Sequence, residues 1–129
     1  LKARGKTVAL LSGDRPQAVA GLARELGVDC ARGGAAPAEK LEFVRALQAR
    51  GAVVAMIGDG VNDAPVLAQA QVSIALAGGT RLACESADMV LMSERLDVLL
   101  GAVDVARRSL RIIRQNLAWA LAYNAVALP

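Results

Sequence analysis

Short apolar runs alternate with helical patterns along residues 1–95 of the chain. These runs predict buried strands at residues 7–11, 28–31, 53–57, 72–76 and 89–92. Helices are predicted to open between them at Pro16, Pro37 and Ala64. Strands and helices that alternate at this spacing predict an α/β fold with a doubly wound parallel sheet, whose polar loops lie at the carboxyl ends of the strands. From about Leu96 the pattern changes to one long helix.

The composition limits the chemistry that the chain can perform. Its 129 residues, 55% of them hydrophobic, are enough for one compact domain. The chain has no histidine, which excludes serine–histidine and cysteine–histidine catalysis as well as histidine metal sites. Cys30 and Cys84 form no C-x-x-C pair, and both are predicted to be small buried hydrophobic residues. Catalysis must therefore depend on carboxylates, lysine, serine and backbone amides.

The strongest local signal is the loop of residues 58–65 (GDGVNDAP), which directly follows the predicted strand 53–57. Its glycines permit a tight turn, and the carboxylates of Asp59 and Asp63 converge on one small volume. Hard oxygen ligands of this kind suit Mg²⁺, which neutralises phosphate charge. A dinucleotide fingerprint is excluded because Asp63 stands where the third glycine of G-x-G-x-x-G would be. The loop therefore predicts a magnesium site rather than an ordinary acidic turn.

Two further groups lie where a phosphate could reach them. Ser12, Gly13 and Asp14 follow the first predicted strand, where the serine hydroxyl and the glycine amide could hold a phosphoryl oxygen. A turn that initiates the next helix explains these three residues equally well. Lys40 lies in the first turns of the second predicted helix, from which its ammonium could reach the same edge of the sheet. Residues 5–7 (GKT) are not a P-loop, because the first glycine of that motif is absent and a strand follows.

Together these motifs resemble the haloacid-dehalogenase-like phosphotransferase superfamily and, more closely, the phosphorylation domain of P-type ATPases. Residues 58–65 match the hinge motif of that family. Residues 12–14 (SGD) are similar to its T-G-D motif, and residues 37–40 (PAEK) are similar to its P-x-x-K motif. The resemblance implies a haloacid-dehalogenase-like sheet that is incomplete in this chain.

The resemblance also implies roles for individual residues. Asp59 and Asp63 would hold Mg²⁺, with Asn62 supporting them. The residues implied for the phosphoryl group are Ser12, Gly13 and Lys40, with Asp14 in the same motif as the first two.

The downstream residues indicate a subfamily. Residues 87–92 (ADMVLM) and 115–124 (QNLAWALAYN) resemble heavy-metal-transporting P-type ATPases, at the passage from the soluble domain into a membrane helix. Helical spacing puts Asn116, Trp119 and Tyr123 on one face. In the copper(I) branch, the resemblance implies that Tyr123 and Asn124 contribute to an intramembrane metal site. The alternative is that both side chains hydrogen-bond to a neighbouring helix.

A basic cluster separates the two parts of the chain. The arginines of the acid-free stretch 105–115 are Arg107, Arg108, Arg111 and Arg114. Removing these four from the 15 basic residues leaves 11, against 12 acidic residues, so the rest of the chain is nearly neutral. Basic residues beside a membrane span favour the cytoplasmic side and interact with anionic lipid. With only three aromatic residues and no wider basic face, the chain is not expected to bind nucleic acid.

The resulting hypothesis is a fragment of an ATP-driven, multi-pass transporter, most simply a Cu⁺ exporter. Residues 1–95 would be the carboxyl-terminal part of its phosphorylation domain, 96–115 a connecting helix, and 116–129 the start of a membrane helix. Residues 1–115 would lie on the cytoplasmic side. The partners would be ATP, the metal ion, the lipid bilayer and the remaining domains.

Two alternatives stay open, namely a soluble phosphatase of the same superfamily and a non-catalytic module of that fold. The phosphorylated aspartate of the D-K-T-G-T motif is not in this sequence. The chain alone is therefore expected to be inactive, and its sheet is expected to expose strand edges. The first residues, which include neither an initiator methionine nor a signal peptide, indicate a piece of a longer protein.

Overall fold

In the part of the chain that the structure describes, five short strands form two parallel sheets. Strand β1 (Ala9–Leu11) pairs with β2 (Cys30–Arg32). Strand β4 (Val72–Leu76) lies between β3 (Ala55–Gly58) and β5 (Met89–Leu91) and pairs with both. The predicted α/β fold with an incomplete parallel sheet is therefore confirmed, and the strands are divided between a two-stranded and a three-stranded sheet.

These bounds come from a computed structural model, which describes residues 1–59, 61–93 and 95–127. The chain divides into two compact units, Leu1–Glu94 and Arg95–Pro129. The first unit contains all the strands described above.

Helices alternate with the strands, as the sequence predicts. The α-helices are α1 (Pro16–Leu26), α2 (Pro37–Ala49), α3 (Ala64–Gln69), α4 (Arg81–Ser86) and α5 (Val98–Ala127). Short 3₁₀ helices occupy Lys2–Arg4 and Val61–Asp63. The predicted starts at Pro16, Pro37 and Ala64 are confirmed, because proline at N1 or N2 needs no intrahelical partner for its nitrogen.

The sequence pattern does not predict helix α4. It has only six residues, which is too short to show a helical period. Thr80 begins it, because the Thr80 side chain accepts a hydrogen bond from the Ala83 nitrogen at 3.3 Å. Threonine is a preferred N-cap residue, so a local signal for α4 is present in the sequence.

The core of the first unit contains residues from α3, β4 and α4. Leu67, Ala75 and Ala83 are fully buried and pack together. Cys84 packs against this cluster, and its thiol lies 3.7 Å from the Leu76 carbonyl oxygen. The prediction that both cysteines are buried is wrong in degree, since Cys30 and Cys84 are each only partly buried. Cys30 lies on β2, a strand with no fully buried residue, so no core surrounds its side chain.

Three glutamines join α2 to α3 and to the start of the three-stranded sheet. The Gln48 side-chain nitrogen donates to the Gln69 carbonyl oxygen at 2.8 Å and to Gln71 Oε1 at 2.9 Å. Gln69 donates in return to Gln48 Oε1 at 2.8 Å. Gln71 Oε1 also accepts from the Val54 nitrogen, just before β3, at 2.9 Å. These contacts hold α2, which carries Lys40, against α3.

The second unit contains the long helix that the sequence predicts from about Leu96. Helix α5 is 30 residues long and is exposed along most of its length, with Leu99 buried. Among the described residues, no helix combines the length and the apolar character that crossing a membrane requires.

Asp88 connects the beginnings of β4 and β5. Its Oδ2 accepts hydrogen bonds from the Ser73 nitrogen and the Ser73 hydroxyl, both at 2.8 Å. The Asp88 nitrogen donates to the Ser73 hydroxyl at 2.9 Å. The Ser73 backbone N–H, and next the Ser73 hydroxyl, lower the pKa of the Asp88 carboxyl below its ordinary value of 3.8.

The lowered pKa of Asp88 predicts acid lability of the three-stranded sheet. The stabilisation by the charged Asp88 carboxylate is fully present above pH 3.8, the pKa of this carboxyl in the unfolded chain. It is lost as the pH falls through the lower pKa of the folded state. Hydrogen exchange of the β4 amides should therefore speed up as the pH falls through this window, after correction for intrinsic exchange. In Asp88→Asn this acid-dependent loss should be smaller and protection at neutral pH weaker. If exchange of the β4 amides depends on pH equally in the unmodified protein and in Asp88→Asn, Asp88 is not the cause of the acid lability.

Candidate functional site

An ion pair joins two motifs that lie 23 residues apart in the sequence. The Lys40 ammonium donates to Asp63 Oδ1 at 2.8 Å, and the two side chains are only 12% and 13% exposed. Lys40 lies in the first turn of α2, and Asp63 ends the 3₁₀ helix before α3. The structure thus brings together the lysine predicted for the phosphoryl group and a carboxylate predicted for magnesium.

The start of α2 is fixed by local hydrogen bonds. The Ala36 nitrogen donates to Glu39 Oε2 at 2.8 Å, which is one half of a capping box. The Lys40 nitrogen donates to the Ala36 carbonyl oxygen at 3.0 Å. These contacts set the first turn from which the Lys40 side chain extends.

The position of the Asp63 side chain requires a glycine at residue 58. A Cβ at Gly58 would lie 3.0 Å from the Asp63 Cβ and 3.3 Å from Asp63 Oδ2. Gly58 is buried at the end of β3, and Asp63 is 9% exposed as a whole residue. The absence of a side chain at Gly58 therefore makes room for the Asp63 carboxylate over the end of the strand.

Asp59 is exposed, and its backbone is held by the loop that follows β4. The Thr80 nitrogen donates to the Asp59 carbonyl oxygen at 2.9 Å. A Cβ at Gly79 would lie 2.6 Å from that oxygen and 2.9 Å from the Leu76 carbonyl oxygen. Gly79 thus permits a close approach between the two loops at the carboxyl ends of β3 and β4.

Ser12, Gly13 and Asp14 follow β1 and form a compact turn. The Ser12 hydroxyl donates to Asp14 Oδ2 at 2.8 Å, and the Asp14 nitrogen lies 3.2 Å from the Ser12 hydroxyl oxygen. The Ala35 nitrogen donates to the Ser12 carbonyl oxygen at 2.9 Å, and the Gly34 nitrogen donates to the Asp14 carbonyl oxygen at 2.6 Å. The turn therefore packs against the segment that leads into α2.

Among the described residues, the hydrogen bonds of residues 12–14 do not reach Lys40 or Asp63. The turn also lies directly before α1, in agreement with the alternative that it initiates this helix. Asn62 is exposed within the 3₁₀ helix. Tyr123 and Asn124 are neighbours on α5 in the second unit, and Tyr123 is 73% exposed.

The donor set fits Mg²⁺ in its chemistry. In residues 1–59, 61–93 and 95–127, no group of three or more histidine, cysteine, aspartate or glutamate side chains could hold a metal ion. Magnesium sites commonly use one or two carboxylates together with waters and substrate phosphates. Asp59 and Asp63 supply two carboxylates on one loop, and Lys40 donates a hydrogen bond to Asp63 Oδ1.

The sequence predicts a role in a tight turn for Gly58 but not the room that it makes for Asp63, and it predicts no role for Gly79 or Thr80. Their contribution is steric or through backbone hydrogen bonds, and only the contact geometry shows it. The sequence did contain a partial signal, because Gly78, Gly79 and Thr80 follow a strand and precede a helix.

Comparison with known proteins agrees with this geometry. A family described as haloacid dehalogenase-like hydrolase matches residues 1–71. The chain belongs to this family. The predicted haloacid-dehalogenase-like fold class is thereby confirmed.

Relatives and solved structures match the chain over nearly its whole length. It is 46% identical over 129 residues to a probable copper-exporting P-type ATPase V of Mycobacterium tuberculosis, covering 100% of the chain and 17% of the relative. It is 49% identical over 131 aligned residues to a probable copper-transporting ATPase SynA of Synechococcus elongatus, again covering 100% of the chain and 17% of the relative. A zinc-transporting PIB-type ATPase in the E2.Pi state is 38% identical, with a TM-score of 0.92 over 98% of the chain and 21% of that structure.

These similarities confirm the predicted resemblance to P-type ATPases of the heavy-metal branch. The chain spans about 17% of the length of the curated relatives it matches.

The close approach at Gly79 gives a prediction with a matched control. Gly79→Ala should destabilise the three-stranded sheet by about 1–3 kcal/mol, because the new Cβ meets backbone oxygens that have little freedom to move. Gly78→Ala should cost much less, since its Cβ would meet nothing within 4 Å. Neither glycine has a positive φ, so the two variants differ in packing rather than in backbone strain. Amide exchange in β3 and β4 measures both effects, and equal destabilisation would contradict the role given to Gly79.

Proposed function

We propose that the chain is the carboxyl-terminal part of the phosphorylation domain of a copper-exporting P-type ATPase, joined to the beginning of a membrane helix. The parent would be a multi-pass membrane protein that uses ATP and transports Cu⁺, with residues 1–115 on the cytoplasmic side. The observation that carries this proposal is the ion pair between Lys40 and Asp63 at 2.8 Å, which unites two motifs of the phosphotransferase family. Similarity over the whole chain to a probable copper-exporting relative and a probable copper-transporting relative supports it further.

In this proposal Asp59 and Asp63 would hold Mg²⁺, with Asn62 beside them on the same loop. When bound, Mg²⁺ would neutralise negative charge on the transferring phosphoryl group. Asp63 is fixed by Gly58 and Lys40, whereas Asp59 is exposed and anchored through its carbonyl oxygen. The loop thus combines one preset carboxylate with one that is accessible from solvent.

Lys40 would bind a phosphoryl oxygen without leaving Asp63. An ammonium group has three N–H donors, and the contact with Asp63 Oδ1 uses one of them. The remaining donors are available to an anion at the carboxyl edge of the sheet. The ion pair therefore orients the ammonium and does not block it.

Ser12 and Gly13 would hold further phosphoryl oxygens through the hydroxyl and the backbone N–H. The Ser12 hydroxyl has a single proton, which it now donates to Asp14 Oδ2 at 2.8 Å. Binding a phosphoryl oxygen would require this proton to turn away from Asp14. Asp14 would then act as a positioning residue that holds the hydroxyl until the anion arrives.

The transported ion is proposed from the identities of the relatives. The two copper-transporting relatives are 46% and 49% identical, and the zinc-transporting structure is 38% identical. Tyr123 and Asn124 are proposed to contribute to an intramembrane Cu⁺ site, as the resemblance to the copper branch implies.

The function predicts an ion-dependent phosphoenzyme. Full-length transporter in membranes, given labelled ATP and Mg²⁺, should form an acid-stable and hydroxylamine-sensitive label that depends on Cu⁺ or Ag⁺. The 129-residue chain alone should acquire no label, because it contains no D-K-T-G-T motif. In the full-length protein, Asp59→Asn should slow phosphorylation by about 100-fold or more through loss of a metal ligand.

Glu42→Gln provides the control for Asp59→Asn, since it removes the same charge from an exposed position on α2. This control variant should form normal amounts of label. Label formation by Asp59→Asn at the normal rate would refute the assignment of Asp59. Absence of label with every ion would refute the pump and favour the soluble phosphatase or the non-catalytic module.

The intramembrane site gives a separate prediction. Tyr123→Phe keeps the ring and removes the hydroxyl, so it should raise the Cu⁺ concentration needed for half-maximal label by about 10-fold, on the scale of a lost metal-site interaction. Trp119→Phe, four residues earlier on the same helical face, should leave this concentration unchanged. Label that depends on Zn²⁺ alone would keep the pump and refute the copper site at Tyr123 and Asn124.

A further inference from the structure

The Asp59 carboxylate owes its position to the backbone of Asp59. Its side chain is exposed, and among the described residues its carboxylate oxygens accept no hydrogen bond. Asp63 differs, because Lys40 donates to its carboxylate at 2.8 Å. The contacts of the Asp59 main chain therefore decide where this carboxylate lies.

Thr80 connects that main chain to the start of α4. Its N–H donates to the Asp59 carbonyl oxygen at 2.9 Å. Its hydroxyl oxygen accepts from the Ala83 nitrogen at 3.3 Å, and its carbonyl oxygen accepts from the Cys84 nitrogen at 3.1 Å. All three polar groups of Thr80 are thus used, one toward the loop after β3 and two within the first turn of α4.

The first turn of α4 is anchored in the core. Ala83 is fully buried in the same cluster as Ala75. Ala75 pairs with Gly58 where β4 lies beside β3, and Gly58 directly precedes Asp59. Asp59 is therefore connected to one buried cluster from both sides, through Gly58 and through Thr80.

Gly79 restricts the same carbonyl group sterically. A Cβ at Gly79 would lie 2.6 Å from the Asp59 carbonyl oxygen and 3.1 Å from its carbonyl carbon. The main chain of Asp59 thus lies directly against the loop that connects β4 to α4. This contact and the Thr80 hydrogen bond together fix the orientation of the backbone from which the Asp59 carboxylate extends.

We propose that Thr80 is a positioning residue for Asp59, and that its backbone N–H raises the affinity of the loop for Mg²⁺. The inference rests on the proposed function, because it takes Asp59 to be a magnesium ligand. A carboxylate that binds a cation loses side-chain and main-chain freedom. The hydrogen bond from Thr80 removes the main-chain part of that loss before the cation binds, so its removal weakens binding without removing a ligand.

Two substitutions at residue 80 separate the N–H from the hydroxyl. Thr80→Val removes the hydroxyl and keeps the N–H, whereas Thr80→Pro removes both. The φ of −70° at Thr80 lies in the range that proline adopts. Both variants lose the N-cap contact with Ala83, so the difference between them reports the hydrogen bond to Asp59.

Binding of Mn²⁺, a paramagnetic substitute for Mg²⁺, measures the affinity without ATP. The full-length transporter is titrated with Mn²⁺, free ion is followed by electron paramagnetic resonance, and binding that remains in Asp59→Asn is subtracted. Thr80→Pro should weaken the remaining binding by about 10-fold, as expected when a group that orients a metal ligand is lost. Thr80→Val should weaken it by less than twofold, and Thr80→Ser should bind as the unmodified protein does.

Formation of the phosphoenzyme label gives a second readout. In Thr80→Pro the Mg²⁺ concentration for half-maximal label should rise by about 10-fold, and saturating Mg²⁺ should restore most of the label. A purely structural defect would lower the maximal label instead, and added Mg²⁺ would not correct it. Equal weakening of Mn²⁺ binding by Thr80→Val and Thr80→Pro, or no weakening by either, would overturn the role of the N–H.

Hydrogen exchange tests the proposal even if Thr80→Pro does not fold. Because coupling between two sites is reciprocal, Mg²⁺ bound at Asp59 should slow exchange of the Thr80 amide in the unmodified transporter. Asp59→Asn should abolish this effect. A Thr80 amide whose exchange does not respond to Mg²⁺ would overturn the positioning role.

Failure of this inference differs from failure of the proposed function. If Asp59→Asn weakens Mn²⁺ binding and Thr80→Pro does not, only the role of Thr80 is wrong. If Asp59→Asn leaves both Mn²⁺ binding and label formation unchanged, Asp59 is not a magnesium ligand, and the site in the proposed function is wrong as well.

Discussion

The ion pair between Lys40 and Asp63 is the interaction on which the arrangement of the first unit depends. Two opposite charges, each only about one-eighth exposed at 12% and 13%, are stable in such a place only as a pair. Removing either partner would leave an uncompensated and largely buried charge. The pair therefore fixes the first turn of α2 against the loop after β3, and any chemistry at this edge of the sheet begins from that fixed geometry.

The opposite ends of α2 and α3 are joined by a different kind of contact. Gln48, Gln69 and Gln71 exchange hydrogen bonds of 2.8–2.9 Å there, and none of these bonds requires a buried charge. Between the two polar contacts lie the fully buried side chains of α3, Val66 and Leu67. Polar contacts at both ends of the two helices oppose sliding of α2 along α3, which keeps Lys40 next to Asp63.

The sequence predicts local features of this fold well. The prolines predict where helices begin, and the apolar run of residues 72–76 predicts β4, because each signal is contained in a few neighbouring residues. It does not predict the pairing of Lys40 with Asp63, which depends on where α2 packs. The sequence predicts that Gly58 permits a turn, but it does not predict the steric roles of Gly58 and Gly79. Those roles depend on the Asp63 carboxylate and on carbonyl oxygens from other positions of the chain.

The pairing of Lys40 with Asp63 is compatible with the proposed site for highly charged ligands, because it would order that site before the ligands bind. Without the ion pair, the ammonium of Lys40 and the carboxylate of Asp63 would each be an uncompensated charge in a poorly hydrated place. With it, each charge is already partly compensated, so the site is ordered in advance. A phosphoryl group and a divalent cation carry opposite charges, so their joint arrival adds little net charge to the pair. In the proposed function, binding both together would then cost less than binding either alone, which would favour a metal–phosphate complex over either ligand by itself.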